Sequence, residues 1–211
     1  MKLRYRIAAF IIRTVWKLFF GFRIEGVENI PPKGRLIVAA NHRSNYDPPL
    51  IGAAAGIRRE LFYFAKLGLF TPSKWFAWLI RSFNAYPVDT RKFDLPALRK
   101  TGHLLERELG LLYFPEGTRN RTPLDFLPAK PGLGYIAKKY KAPILPTLII
   151  GTNIPLWRLA LRRGKVKVIF GRLINAELLD QFPDNKQGYI AVSQLVMDRI
   201  KEMYIRETQH Q

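Results

Sequence analysis

The segment Asn41-His42-Arg43-Ser44-Asn45-Tyr46-Asp47-Pro48-Pro49 sets an imidazole and a carboxylate five positions apart. An imidazole that is to take a proton from an alcohol needs a partner that holds its ring in one tautomer, and a carboxylate does this. The pair follows Leu36-Ile37-Val38-Ala39-Ala40, an apolar run that reads as a buried strand. Strand ends are where α/β proteins usually place their sites. Asp47 also has a purely structural use, because Asp before Pro-Pro is a good helix N-cap with proline at the first helical position. A similar pair, His103 and Glu108, falls in a segment that reads as a helix. Five residues turn a helix by about 140°, so those two groups face apart.

A second strand candidate, Leu111-Leu112-Tyr113-Phe114, runs into Pro115-Glu116-Gly117-Thr118-Arg119-Asn120-Arg121. This loop gathers a glycine, a hydroxyl and two guanidinium groups. Arginine forks match phosphate oxygens in pairs, and glycine allows a close backbone approach. Taken alone, the loop reads as well as a surface turn with a weak Glu116–Arg119 ion pair.

Together, His42-x4-Asp47 and Phe114-Pro115-Glu116-Gly117-Thr118-Arg119 resemble the glycerolipid acyltransferases, specifically the bacterial 1-acyl-sn-glycerol-3-phosphate acyltransferase family. Two further blocks fit. One is Phe64-Ala65-Lys66-x-x-Leu69-Phe70, continuing to Tyr86-Pro87-Val88-Asp89. The other is Ala142-Pro143-Ile144-Leu145-Pro146. The blocks occur in the family's order and cover residues 24 to 175. One departure is that Thr90 separates Val88-Asp89 from Arg91 and Lys92, where the family commonly has arginine directly.

The resemblance implies acyl transfer from a thioester, acyl-CoA or acyl-carrier protein, to the sn-2 hydroxyl of lysophosphatidic acid, or of another lysolipid. It implies His42 as general base and Asp47 as its partner. Glu116, Gly117, Thr118, Arg119 and Lys66 are implied on the acceptor side, with Arg119 on the phosphate and Glu116 on the glycerol or orienting Arg119. Transfer is direct in this pattern, so Ser44 is not expected to act as a nucleophile. Backbone N–H groups near His42 are the expected oxyanion donors. Phe70, Trp75, Phe76 and Trp78 are candidates for an acyl-chain groove, for contact with a bilayer or for plain core packing.

The elements that must position these groups alternate. Strands are expected over 36–40, 60–64, 85–88, 111–114, 144–150 and 166–170. Helices are expected over 48–55, 73–82, 95–109, 134–139 and 188 to about 206. The expected class is α/β, a single domain with a mixed sheet flanked by helices. Gly132-x-Gly134-x-x-Ala137 imitates a dinucleotide fingerprint, yet it follows prolines rather than a strand, with no acid before Glu177.

Composition narrows the partners. There is no cysteine and there are only three histidines, so neither metal nor other cofactor is expected. The net charge is +19, which calls for an anionic partner. Residues 1–23 hold six Lys/Arg and no acid, and residues 126–176 hold ten and none. No nucleic-acid recognition motif is visible, so nucleic acid is the lesser alternative. Along residues 1–22, Lys2, Arg6, Arg13 and Lys17 fall within about 60° of one another on a helix, and most of the remaining surface is apolar. The longest charge-free run there is six residues, whereas a spanning helix needs ~20. Residues 1–23 therefore read as an amphipathic segment lying in a membrane interface, followed by the acyltransferase-like domain over 24–211. The expected location is peripheral, on the cytoplasmic face of the cell membrane.

Overall fold

The computed structural model describes residues 2–209 apart from 72, 75, 76, 78, 79, 82, 89–94, 123–125 and 162–165. Its centre is a mixed sheet of seven strands: β1 (Arg23–Glu25), β2 (Leu36–Ala40), β3 (Leu61–Lys66), β4 (Ala85–Val88), β5 (Gly110–Tyr113), β6 (Ile144–Ile150) and β7 (Lys167–Phe170). Their order across the sheet is β1-β7-β6-β2-β5-β3-β4. β6, β2, β5, β3 and β4 run parallel, and β7 pairs antiparallel to β6. β2 lies between β5 and β6 and is buried throughout. Strands buried on both faces read as continuous apolar runs, which is why Leu36–Ala40 shows no polar alternation.

The period of two sorts β2 between the two cores. Leu36, Val38 and Ala40 join one cluster, and Ile37 and Ala39 join the other. The first face is covered by α2 (Asp47–Ala55), which is buried over nearly all of its surface. A helix apolar all round must be covered on its outer side as well, and α1 (Leu3–Phe20) does this. Tyr5 and Ala9 of α1 are fully buried. The Tyr5 hydroxyl donates to the Gly52 carbonyl at 2.9 Å and accepts the Leu61 amide at 3.2 Å. Burial raises the Tyr5 pKa, so the hydroxyl keeps its proton. Segment 1–23 is thus built into the first core. Its opposite face leaves Leu3, Ile7, Phe10, Ile11, Leu18 and Phe19 exposed. Among the described residues no helix is long and apolar enough to cross a membrane.

The second face is covered by α3 (Leu95–Glu106), α4 (Gly132–Lys139) and α7 (Lys186–Gln209). Two short helices, α5 (Leu156–Leu161) and α6 (Ala176–Leu179), complete the described elements apart from two 3-10 turns. The expected helix over 73–82 falls largely outside the described residues, as do Trp75, Phe76, Trp78, Asp89, Thr90, Arg91 and Lys92. Phe70 is half-buried against the first core. The helix expected to run to residue 109 stops at Glu106, and Glu108 turns with a φ of 56°.

Candidate active site

β2 delivers Asn41 and His42 to its carboxyl end. The Asn41 side chain is buried and continues the sheet where the backbone leaves it. Its amide donates to the Ile149 carbonyl at 2.9 Å and accepts the Ile149 N–H at 2.8 Å. The chain entering His42 is therefore fixed to β6 by two hydrogen bonds.

The loop after β5 then grips His42 through its backbone. The His42 N–H donates to Glu116 Oε1 at 3.0 Å, and the His42 carbonyl accepts the Asn120 N–H at 2.7 Å. Glu116 Oε2 accepts the Leu127 N–H at 3.0 Å. Glu116, expected to meet the glycerol or to orient Arg119, is buried, and its carboxylate holds two backbone amides. Burial raises its pKa, and the two amide bonds oppose that shift. Sequence could not give this direction, because Glu116 sits between exposed-type residues on a loop. The Phe114 ring stacks on the imidazole, with centroids 4.0 Å apart and planes inclined by 19°.

The imidazole Nδ1 lies 2.9 Å from Asp47 Oδ2. A carboxylate oxygen is the acceptor in this contact and the ring N–H the donor. Asp47 is fully buried at the first position of α2, one residue after the cap, which is Tyr46. Its carboxylate does not face into the helix it was expected to cap. Oδ2 accepts the Arg43 and Ser44 amides, each at 2.7 Å, and Oδ1 accepts the Thr152 hydroxyl at 2.5 Å. These hydrogen bonds satisfy the oxygens of a carboxylate that has no access to solvent. They also engage the backbone N–H groups of the two residues that follow His42, among the N–H groups near His42 expected to supply oxyanion donors. The Ser44 hydroxyl accepts the Tyr46 amide at 3.3 Å.

The remaining candidates lie around this pair. Gly117 has a φ of 68°, in the left-handed region that favours glycine, and it is exposed together with Thr118; Arg119 is half-buried. A Cβ at Gly117 would stand 3.1 Å from Lys130 Nζ, so Lys130 adds a further cation beside the two arginines of this loop. Lys66 is exposed at the carboxyl end of β3. β3 and β2 flank β5 and run parallel to it, so Lys66 shares the rim of the sheet with His42. The structure joins His42, Asp47 and Glu116 by hydrogen bonds, and it leaves Gly117, Thr118, Arg119 and Lys66 on the surrounding surface. Asn41, Thr152 and Lys130 were not singled out in the sequence. Only Asn41 had a signal there, its place directly before His42.

The site thus brings together a buried carboxylate, an imidazole bonded to it through Nδ1 and a nearby loop bearing cations. A family model described as Acyltransferase matches residues 21–150. The chain is 31% identical over 150 residues to the 1-acyl-sn-glycerol-3-phosphate acyltransferase of Saccharomyces cerevisiae, covering 66% of this chain and 46% of that protein. It is 30% identical over 162 residues to the protein of that name from Limnanthes douglasii, covering 74% and 52%. The chain thus spans about half the length of these relatives. The crystal structure of the 1-acyl-sn-glycerophosphate (LPA) acyltransferase PlsC from Thermotoga maritima matches with a TM-score of 0.74 and 25% identity, over 98% of this chain and 80% of that one.

Glu116→Gln tests the backbone grip. An amide offers one acceptor and turns an NH₂ toward an N–H, which leaves a buried donor without its partner and costs about 1–3 kcal/mol. Chemical denaturation should show that loss, and turnover should fall with KM for the acceptor within twofold. A large rise in KM at unchanged stability would mean that Glu116 touches substrate.

Proposed function

The chain belongs to the Acyltransferase family, and on that footing we propose that it transfers a fatty acyl group from a thioester to the sn-2 hydroxyl of 1-acyl-sn-glycerol-3-phosphate, giving phosphatidic acid. The observation that carries this reading is the His42 ring, tied through Nδ1 to a buried carboxylate, in a residue whose backbone N–H is held by Glu116 of the loop after β5. Nε2 takes the hydroxyl proton as the oxygen attacks the thioester carbonyl. The C–O bond forms, the C–S bond breaks, and the leaving thiolate recovers the proton from the imidazolium. Asp47 stabilises the imidazolium while it exists and stays ionised itself. General-base catalysis of this kind contributes about 10²–10⁴-fold.

Arg119 receives the acceptor phosphate, with Gly117 and Thr118 shaping the loop, and Lys66 adds a second cation from the β3 rim. The donor is acyl-CoA or acyl-carrier protein, both anionic and both suited to a chain of net charge +19. The test is thioester consumption with a panel of lysolipid acceptors. Lysophosphatidate should be preferred, and Arg119→Ala should raise its KM about tenfold or more, since a desolvated charge-assisted fork is lost. Arg119→Lys should recover part of that loss. The loss should shrink for an acceptor without a phosphate. Equal losses for charged and neutral acceptors would remove Arg119 from the phosphate site, and preference for another lysolipid would replace lysophosphatidate as substrate.

We also place the protein on a membrane, on the anionic cytoplasmic leaflet. In support, α1 turns Leu3, Ile7, Phe10, Leu18 and Phe19 outward, and α5, which packs beside it, exposes Trp157 and Leu161. Arg6 and Lys17 stay exposed on the same helix, and each cation near an anionic leaflet contributes about 1 kcal/mol. Deleting α1 is not a clean test, because it removes Tyr5 from the core. Replacing Phe10 and Leu18 by Gln is cleaner. Co-sedimentation with anionic liposomes should drop sharply while the melting temperature stays within about 2 °C, since surface changes are usually within ±0.5 kcal/mol. Undiminished sedimentation would show that this face is not the anchor.

A further inference from the structure

We propose that Thr152 is a positioning residue for the catalytic pair, acting through Asp47; this rests on the reading of His42 as the general base. The Asp47 carboxylate is held at both ends. Oδ2 accepts three donors from its own turn: His42 Nδ1 at 2.9 Å and the Arg43 and Ser44 amides at 2.7 Å. Three donors on one oxygen fix a point. They leave the carboxylate free to pivot about it, and the pivot decides which lone pair Nδ1 meets. A second fixed oxygen defines the plane. Thr152 supplies that constraint, because its hydroxyl donates to Oδ1 at 2.5 Å from 105 residues away along the chain.

The donor is itself firmly placed. Thr152 is buried, and its neighbour Gly151 has a φ of 81°, which turns the chain back toward the sheet directly after Ile150 ends β6. Three residues before Thr152, the Ile149 backbone is bonded twice to Asn41, the residue before His42. The base and the latch on its partner are therefore fixed to one seam between β2 and β6. A hydroxyl suits the role. It donates to the carboxylate without adding a charge, so the pairing of Asp47 with an imidazolium is preserved.

The experiment uses the full chain labelled with ¹⁵N-histidine, comparing wild type with Thr152→Val, Thr152→Ala and Thr152→Ser. In the wild type, the ¹⁵N shifts of His42 should report one neutral tautomer, with the proton on Nδ1, and His103 serves as the internal control. In Thr152→Val and Thr152→Ala the two tautomers should mix, and kcat should fall about tenfold with KM for the acceptor unchanged. Thr152→Ser should restore the single tautomer and most of kcat. A purely structural residue would lower the melting temperature without moving the tautomer. A single Nδ1–H tautomer in the Val and Ala variants overturns the proposal, whatever their turnover. The wild type gives an independent reading that needs no variant to fold: the Thr152 hydroxyl proton should exchange slowly with solvent. Fast exchange also overturns the proposal. Tautomer mixing in the variants of a wild type that transfers no acyl group to lysophosphatidate supports the role of Thr152 and rejects the assigned reaction instead.

Discussion

His42 is held by its main chain before its side chain does anything. Its N–H is bound by Glu116 and its carbonyl by Asn120, so one loop takes hold of the peptide groups on both sides of the His42 Cα. A ring on a flexible strand end would sample several orientations and lose the alignment that proton transfer needs. Here the backbone is fixed first, Phe114 then limits the ring from one side, and Asp47 fixes its rotation through Nδ1. The carboxylate of Glu116 is buried to achieve this. Its two amide partners offset the desolvation that such burial costs.

That grip is possible only because the sheet brings distant segments together. β2 has β5 on one side and β6 on the other, all three parallel, so their carboxyl ends meet at one rim. β2 supplies His42, the loop after β5 supplies the grip on it and the surface proposed for the phosphate, and the turn after β6 supplies Thr152. Crevices at such rims, where chain connections diverge, are the usual sites of open α/β sheets. α2, lodged between α1 and the sheet, sets Asp47 at its first turn. The burial of α2 under Tyr5 and Ala9 thereby makes the outermost helix part of what holds the Asp47 carboxylate.

Much of this was legible in the residues. The unbroken apolar runs at 36–40 and 144–150 marked strands buried on both faces, and the alternation of strands with helical segments gave the mixed α/β class. His42 and Asp47 were legible because they are close in sequence and flank one turn. The limits were physical. β1 is three residues long at an edge, where half-exposed residues carry no period. α5 and α6 are too short for a helical repeat to develop. Asp47 before two prolines has the composition of a cap, and only the fold shows its carboxylate turned back to the preceding residues. Glu116 has the composition of a surface residue, and its burial depends on amides at residues 42 and 127. Thr152 follows a strand and belongs to no local pattern, so its partner 105 residues away could not be read.

The idea on which everything else depends is that His42 and Asp47 act as one unit in moving the proton. A double-mutant cycle on single-turnover transfer to lysophosphatidate, using His42→Ala, Asp47→Asn and both together, measures this directly. Groups that act as a unit are strongly non-additive. His42→Ala should cost about 10²–10⁴-fold, Asp47→Asn a large part of that, and the double variant no more than His42→Ala alone, all three remaining folded. Losses that multiply in the double variant, or full activity in Asp47→Asn, would contradict it.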